Sequence, residues 1–159
     1  MIDIVDNVTR SKMMAGIRGK NTKPEMLIRR YLHSKGYRFR LHRKDLPGRP
    51  DLVLSKYKLA VFVHGCFWHR HAACFYARSP ATRKEFWQKK LNQNVERDKK
   101  QEYLLIGLGW RVLTIWECGT RHCQDKLGEI EEMITGNESC MTWPRISPRP
   151  HSSSNQLSQ

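Results

Sequence analysis

Two cysteines and two histidines lie within nine residues of one another, in the segment CFWHRHAAC at 66–74. They are Cys66, His69, His71 and Cys74. Thiolate sulfur and imidazole nitrogen are ligands that suit tetrahedral zinc. We expect three ligands from this loop and a fourth from elsewhere, with Cys118 the best candidate and Cys123 its rival. One group of the loop is then left over, and a histidine excluded from the metal is free for acid–base chemistry.

A carboxylate, Asp51, follows the turn LPGRP at 46–50 and begins an apolar strand. At a sheet edge, such a group could hold Mg2+, which prefers carboxylate, carbonyl, phosphate and water oxygens. Aspartate also commonly caps turns, and the spacing alone favours neither interpretation. Glu25 is equally ambiguous, because a capping box that begins at Thr22 would explain it without any function.

The elements that would position these residues follow from hydrophobic periodicity and helix-capping signals. A short basic helix is predicted at Thr9–Arg18, and a second helix runs from the Thr22 capping box to about Gly36. Alternating apolar and polar residues predict a half-buried strand at Tyr37–His42. Further predictions are strands at 51–54, 58–63 and 110–116, a long polar helix from a capping box at 82–85 to about 106, and a last helix at 125–134. This order predicts an α/β domain with a mixed central sheet flanked by helices.

The composition indicates one globular domain that binds a polyanion. The chain has 159 residues and a formal net charge of +14, from 29 Lys and Arg against 15 Asp and Glu. Residues 1–50 carry 13 basic and 4 acidic residues, and residues 51–100 carry 11 and 4, so the basic surface should come from the first two-thirds of the chain. We expect a single domain over 1–143 and a disordered polar tail over 144–159, which is rich in proline and serine.

Cysteine usage and hydropathy indicate a protein of a reducing compartment. Five cysteines are an odd number, which argues against a framework built only of disulfides. The sequence has no run of 18 apolar residues, and its first residues lack the apolar stretch of a secretory signal. We therefore expect a cytoplasmic protein with no membrane partner.

Several separated motifs together resemble the very-short-patch-repair (Vsr) DNA mismatch endonucleases. They extend over about residues 6–135 in the family's order: LPGRPD at 46–51, VHGCFWH at 63–69, FW at 86–87, NVERD at 94–98, GWRVL at 109–113 and WEC at 116–118. The resemblance implies a restriction-endonuclease-like fold with a structural Zn2+. It also implies a Mg2+-dependent enzyme that nicks one strand of double-stranded DNA, 5′ to the T of a T·G mismatch left by deamination of 5-methylcytosine.

The resemblance further implies roles for individual residues. Asp51 is similar to the carboxylate that binds Mg2+, and Val63 to the residue that binds it through the backbone carbonyl. Some members have threonine at that position, and valine keeps the carbonyl. His64 is expected to orient metal-bound water, and His69 to act as general acid and base. The supporting acidic residues are Glu25 and Asp98. The zinc ligands are Cys66, His71, Cys74 and Cys118.

Aromatic residues near the Cys/His loop would by themselves be interpreted as core. The resemblance implies instead that Phe67, Trp68 and Trp87 insert into the base stack beside the mismatch, and that Met14 and Ile17 insert from the minor groove. A mispaired step is cheaper to open than a paired one, so wedges suit such a site. The cations expected to contact phosphates are Arg10, Lys12, Arg18, Lys20, Arg83, Lys84, Lys89 and Lys90.

Two other classes of protein stay open. A sequence-specific restriction-type endonuclease of the same fold would cut perfectly paired DNA, normally as a dimer, and would not need wedges. A zinc-stabilised DNA-binding module without catalysis would need neither Asp51 nor His69. We expect a monomer, with mismatch-repair proteins as candidate partners.

Overall fold

The computed structural model describes residues 20–150 of the chain. The helix expected at 9–18 and residues 151–159 lie outside this part. The helices are α1 (Lys23–Ser34), α2 (Lys84–Gly107), α3 (Glu117–His122) and α4 (Gly128–Thr135). The strands are β1 (Arg40–Leu41), β2 (Leu52–Leu54), β3 (Leu59–His64), β4 (Arg111–Trp116) and β5 (Cys140–Trp143). Within residues 20–150, no helix is long and apolar enough to cross a membrane.

The five strands form one mixed sheet in the order β1-β2-β3-β4-β5. The pairs β1–β2 and β2–β3 are antiparallel, whereas the pairs β3–β4 and β4–β5 are parallel. Parallel neighbours need a crossover, which α2 provides between β3 and β4, and α3 with α4 between β4 and β5. β1 is shorter than the strand predicted at Tyr37–His42, and the chain turns at His42 with a φ of 48°. The prediction of a mixed sheet flanked by helices is confirmed.

The main core lies on one face of this sheet. Alternate residues of β3 and β4, namely Leu59, Val61, Leu113 and Ile115, are fully buried there because side chains alternate across a strand. α1 and α4 cover this face through Ile28, Leu32, Ile130, Met133 and Ile134. This packing fixes α1, and with it Glu25 in its first turn, against the sheet.

The opposite face of the sheet is covered only in part. Val53, Ala60, Phe62 and Val112 pack against Leu105 near the end of α2. Beyond them, a cleft of about 750 Å³ lies between α2, strands β4 and β5, and the segment that follows β5. The histidines expected to act in catalysis line this cleft.

The two predicted capping boxes have different outcomes. At α1, Thr22 is the N-cap as predicted, and its hydroxyl accepts a hydrogen bond from Glu25 N at 3.4 Å. At α2 the predicted box from Thr82 to Glu85 is wrong in position. The N-cap of this helix is Arg83, one residue after the predicted Thr82. Arg83 has a left-handed φ of 52° and makes no side-chain capping bond.

The C-terminal third contains structure that its composition did not indicate. α3 has six residues and β5 has four, which is too short for periodicity to reveal. Pro144 and Ser147 are buried, and Phe75 N donates to Arg149 O at 2.9 Å. Residues 144–150 therefore lie against the end of the Cys/His loop, which differs from the disordered tail expected to begin at Pro144.

Candidate active site and metal centre

Four buried side chains form a compact cluster, called the sulfur group below, beyond the end of β3. The ligand atoms of Cys66, His71, Cys74 and Cys118 all lie within 4.8 Å of one another. His71 Nδ1 lies 3.6 Å from Cys66 Sγ and 3.4 Å from Cys118 Sγ. His71 also stacks on Trp116, with ring centroids 4.2 Å apart. Three sulfurs and one imidazole nitrogen at these separations are a donor set that fits tetrahedral zinc.

Cys118, rather than Cys123, is the distant member of this group. Cys118 lies in the first turn of α3, directly after β4, whereas Cys123 packs in the main core. The Cys118 thiol, together with burial, raises the pKa of the Cys66 thiol above its usual range. A bound metal ion reverses this effect, because it deprotonates a coordinating thiol. The group is therefore chemically suited to zinc and unfavourable as a set of free thiolates.

His69 is left out of the sulfur group and pairs with Asp98 of α2. His69 Nδ1 lies 2.6 Å from Asp98 Oδ2. Because an ionised carboxylate only accepts hydrogen bonds, Nδ1 carries the hydrogen and Nε2 of the neutral ring is an acceptor. The backbone N–H of His69 donates to Gly65 O at 3.2 Å, which fixes the loop. This arrangement fits a general base whose ring is oriented by a carboxylate.

His64 stacks face to face on His69, with ring centroids 3.7 Å apart and planes 5° from parallel. Burial, together with the neighbouring His69, lowers the pKa of His64 to about 3. The His64 ring is therefore uncharged at neutral pH. It can exchange hydrogen bonds with water without adding a positive charge beside His69.

Asp51 lies immediately before β2 and directly follows the tight turn at residues 46–50. Gly48 in that turn has a φ of 77°, a backbone conformation that other residues rarely adopt, so the turn favours glycine. Asp51 Oδ2 accepts a hydrogen bond from the Val63 backbone N–H at 2.7 Å. Burial raises the pKa of Asp51 to about 7, with Glu25 adding to the rise and the Val63 N–H opposing it. A divalent cation would replace the proton and turn this carboxyl into a ligand.

Glu25 is buried, with 2% of its side chain exposed, and it has three partners. Oε2 accepts from Asn21 N at 2.9 Å, while Oε1 accepts from the Arg29 guanidinium and lies 2.8 Å from His42 Nε2. His42 Nδ1 in turn lies 3.7 Å from Asp51 Oδ1. One side-chain oxygen of Glu25 therefore accepts from the backbone at the start of α1, whereas the other is directed to His42 and the Asp51 region.

Sequence analysis did not single out His42. It reads there as one polar position of an alternating strand, and only the packing of α1 beside the LPGRP turn brings it between Glu25 and Asp51. The ligand atoms of these three residues lie within 4.8 Å of one another. A lone histidine four residues before the turn carries no local signal that could have identified it.

Two consecutive residues at the end of β3 connect the Asp51 group (Glu25, His42 and Asp51) to the His69 group (His64, His69 and Asp98). The Val63 N–H holds Asp51, and the next residue, His64, stacks on His69. The carboxylate and the candidate base are thus both anchored to one strand end. The sulfur group starts two residues further on, at Cys66.

The three aromatic residues expected to act as wedges pack against one another. Ring centroids of Phe67, Trp68 and Trp87 are 5.1 to 5.9 Å apart. Trp87 is buried, and its indole N–H has no hydrogen-bond partner among the described residues, whereas Phe86 beside it is 44% exposed. Met14 and Ile17 lie outside residues 20–150.

The cations expected at the phosphates are exposed wherever the structure describes them. They comprise Lys20, Arg83, Lys84, Lys89 and Lys90, of which four lie at or near the start of α2. Arg83 lies over the Phe86 ring, 4.3 Å from its centroid. The start of α2 therefore presents a basic surface next to the aromatic group.

Comparison with known proteins assigns this site to a family. A family model described as DNA mismatch endonuclease Vsr matches residues 2–75. The DNA mismatch endonuclease Vsr of Escherichia coli is 43% identical over 141 residues, which cover 86% of this chain and 90% of that protein. The chain belongs to the Vsr family of DNA mismatch endonucleases. This confirms the resemblance and makes the chain a DNA endonuclease rather than a non-catalytic binding module.

Two type II nicking enzymes are also similar to this Vsr-family protein. V.XorIIP of Xanthomonas oryzae pv. oryzae is 48% identical over 118 residues, 74% of this chain and 86% of that protein. V.NmeAIP of Neisseria meningitidis serogroup A is 41% identical over 137 residues, 84% of this chain and 97% of that protein. The match to the family model ends at residue 75. Asp98 and Cys118 lie beyond it, and the fold brings Asp98 to His69 and Cys118 to Cys66, His71 and Cys74.

Proposed function

We propose that this protein is a Mg2+-dependent, strand-specific endonuclease that nicks DNA 5′ to the T of a T·G mismatch. Such mismatches arise when 5-methylcytosine is deaminated, and the nick would begin very short patch repair. The observation that carries the proposal is the junction at the end of β3. There the carboxylate of Asp51, the proposed cation ligand, and the imidazole of His69, oriented by Asp98, are held by the consecutive residues Val63 and His64.

Asp51 and the backbone carbonyl of Val63 are the groups that would hold Mg2+. Bound there, the ion would polarise the scissile phosphate and stabilise the leaving 3′-oxygen. The raised pKa of Asp51, about 7, means that this carboxyl gives up its proton when a cation binds. Glu25 and His42 stand behind Asp51 and hold its surroundings in place.

His69 is proposed to take the proton from the attacking water at Nε2. Its other ring nitrogen donates to Asp98, which fixes both the tautomer and the direction of the ring. Imidazole is the most frequent general base among enzyme side chains. His64, kept uncharged by burial, supports the ring of His69 by stacking and can accept or donate a hydrogen bond to water.

The group of Cys66, His71, Cys74 and Cys118 is proposed to bind a structural Zn2+. Four protein ligands leave no open position for substrate, so this ion would hold the loop in shape and take no part in hydrolysis. The loop carries His69 and two of the aromatic residues, which gives the ion an indirect role in catalysis. The restriction-endonuclease-like fold implied by the motifs belongs to the same proposal.

Phe67, Trp68 and Trp87 are proposed to wedge into the base stack at the mismatch. The buried indole N–H of Trp87 lacks a partner among residues 20–150, which marks this packing as one that can be given up at modest cost. Exposed cations at the start of α2 would bind the neighbouring phosphates. We further propose that the protein acts as a monomer in the cytoplasm, at the nucleoid, with mismatch-repair proteins as partners.

A strand-specific nicking assay tests this function. The substrates are end-labelled duplexes with one T·G mismatch in varied sequence contexts, and matched T·A and C·G duplexes serve as controls. We expect Mg2+-dependent cleavage of the T strand alone, 5′ to the mismatched T, and none in EDTA. Cleavage of matched duplexes would favour the restriction-type alternative, and cleavage without Mg2+ would contradict the proposed cation site.

A further inference from the structure

His42 lies between the two acidic side chains of the candidate cation site. Its Nε2 is 2.8 Å from Glu25 Oε1, and its Nδ1 is 3.7 Å from Asp51 Oδ1. The chain turns at this residue, with a φ of 48°, and His42 N donates to Asp51 O at 3.2 Å. The ring is therefore held at the site by its own backbone as well as by Glu25.

The hydrogen-bond inventory around Glu25 decides which nitrogen of His42 carries the hydrogen. Arg29 Nη2 has two hydrogens, and its acceptors are Glu25 Oε1 and Asn21 Oδ1. None is left for His42 Nε2, although that nitrogen lies 2.9 Å from Arg29 Nη2. Since the carboxylate of Glu25 can only accept, His42 Nε2 must donate to it. Arg29 Nη2 and His42 Nε2 therefore both donate to Glu25 Oε1, which explains why the two nitrogens lie close together.

The other nitrogen of His42 is then an acceptor directed towards Asp51. In the neutral ring, a hydrogen at Nε2 leaves a lone pair at Nδ1. The 3.7 Å between Nδ1 and Asp51 Oδ1 is too long for a hydrogen bond, and no partner for Nδ1 lies within hydrogen-bond distance among the residues the structure describes. Once Asp51 has lost its proton, two acceptors face each other at this distance, and a shared donor or cation between them would stabilise the arrangement.

We propose that His42 is a positioning residue whose Nδ1 accepts a hydrogen bond from water in the hydration shell of the cation that Asp51 binds. This inference rests on the proposed function, because it assumes a cation at Asp51. Mg2+ gives up its water reluctantly and usually keeps several water ligands, so acceptors around it set how it sits. Asp51 Oδ2 already accepts a hydrogen bond from the Val63 N–H, whereas Oδ1, the oxygen beside His42, has no hydrogen-bond donor among residues 20–150. The ring is 24% exposed, so water can reach it.

The first test needs neither DNA nor turnover. In zinc-replete, 15N-histidine-labelled protein, long-range 1H–15N spectra distinguish the two neutral tautomers, and His42→Gln identifies the resonance. We expect a hydrogen at Nε2, and we expect Glu25→Gln to disturb that signal. A hydrogen at Nδ1 in the neutral ring would overturn the inference.

The second test measures cation binding directly, with Mn2+ as the probe. Loss of the free Mn2+ EPR signal gives the affinity for wild type, His42→Ala, His42→Asn and His42→Gln, each checked for unchanged folding by circular dichroism. Asparagine places an acceptor near the position of Nδ1, whereas glutamine replaces only the donor at Nε2. We expect about a five-fold weaker Mn2+ affinity for the alanine and glutamine variants, the size of one lost hydrogen bond, and recovery to within about two-fold for asparagine.

Three outcomes of the Mn2+ titration would contradict the positioning role. Equal affinity in all variants would show that His42 takes no part in cation binding. Recovery by glutamine rather than asparagine would assign the effect to Glu25. A loss in His42→Ala as complete as in Asp51→Asn would make Nδ1 a direct ligand. Failure of the wild type to nick DNA would instead contradict the proposed function, since neither test of His42 uses nicking.

Discussion

The sulfur group and the Asp51 group lie on either side of one strand end, yet they are built on opposite physical plans. The sulfur group is buried, with Cys118 fully enclosed, and its members come from a single loop and the first turn of α3. The Asp51 group buries Glu25 but leaves 16% of Asp51 and 24% of His42 exposed, and it draws on α1, the turn after β1 and the end of β3. The first is suited to a permanent metal ion, and the second to one that arrives with substrate and leaves again.

This contrast explains how the protein can be both rigid and responsive. A closed set of four zinc ligands would fix the loop that carries His69, so the proposed base would not depend on DNA for its position. An open carboxylate with a pKa of about 7 can exchange a proton for a cation near physiological pH. Separating the two tasks lets the loop keep its shape while the cation site cycles.

The largest expected effect comes from opening the sulfur group. Cys118→Ala should abolish zinc binding and lower the melting temperature by more than about 10 °C, because structural zinc contributes about 10 kcal/mol or more in small zinc domains. Zinc content by atomic emission and thermal unfolding measure this. Cys140→Ala, at an exposed cysteine, is the matched control, and Cys123→Ala should keep its zinc. Full zinc content in Cys118→Ala would refute the ligand assignment.

Next in size is the loss of catalysis at the open site. His69→Ala should reduce nicking about 10²–10⁴-fold, the usual contribution of a general base, and Asp51→Asn at least as much. Affinity for mismatched DNA should stay within a few-fold of wild type, because neither residue belongs to the basic surface. Single-turnover nicking and fluorescence anisotropy separate the two quantities. A variant that still nicks at the wild-type rate would remove its residue from the mechanism.

A smaller effect should follow from loosening the base without removing it. Asp98→Asn keeps the size of the side chain but weakens the hydrogen bond that selects the tautomer of His69, and we expect a 10–100-fold slower nicking step. The control is Glu96→Gln, an exposed carboxylate on the same helix. Equal rates for Asp98→Asn and the control would mean that His69 does not need its carboxylate partner.

The smallest expected effect concerns stability and pH in zinc-loaded protein without Mg2+. The pKa of Asp51 is raised on folding, from 3.8 to about 7, so the folded state binds the proton more tightly than the unfolded state. The resulting stabilisation is complete below pH 3.8 and is lost as the pH rises through 7. Asp51→Asn should therefore raise stability at pH 8 by about 1–2 kcal/mol, or roughly 3–6 °C, and the gain should shrink towards pH 4.

The matched control for this pH experiment is Asp45→Asn. Asp45 is exposed, and Arg43 lowers its pKa, so it has the opposite linkage. We expect no gain in melting temperature at pH 8 for this variant. A gain in both variants would attribute the effect to net charge rather than to burial of Asp51.

Local patterns predicted the parts of the fold in which each segment carries its own signal. The apolar runs of β2 and β3, the Thr22 cap and the Cys/His loop are of this kind. α3 and β5 were missed because a few residues cannot show a period, and the start of α2 was misplaced because Arg83 adopts a left-handed φ. His42 was missed because its meaning arises only from packing between α1 and the turn before β2.

The shared anchor at Val63 and His64 also limits how this chain can vary in length. The Val63 N–H holds Asp51, which precedes it in the sequence, and His64 stacks on His69, which follows it. The number of residues from 51 to 69 therefore sets the distance between the proposed cation ligand and the proposed base. One residue added within β3 would reverse which face each later side chain occupies and separate the two groups. Insertions should therefore be accepted in the loop at 78–82 and rejected between 51 and 69.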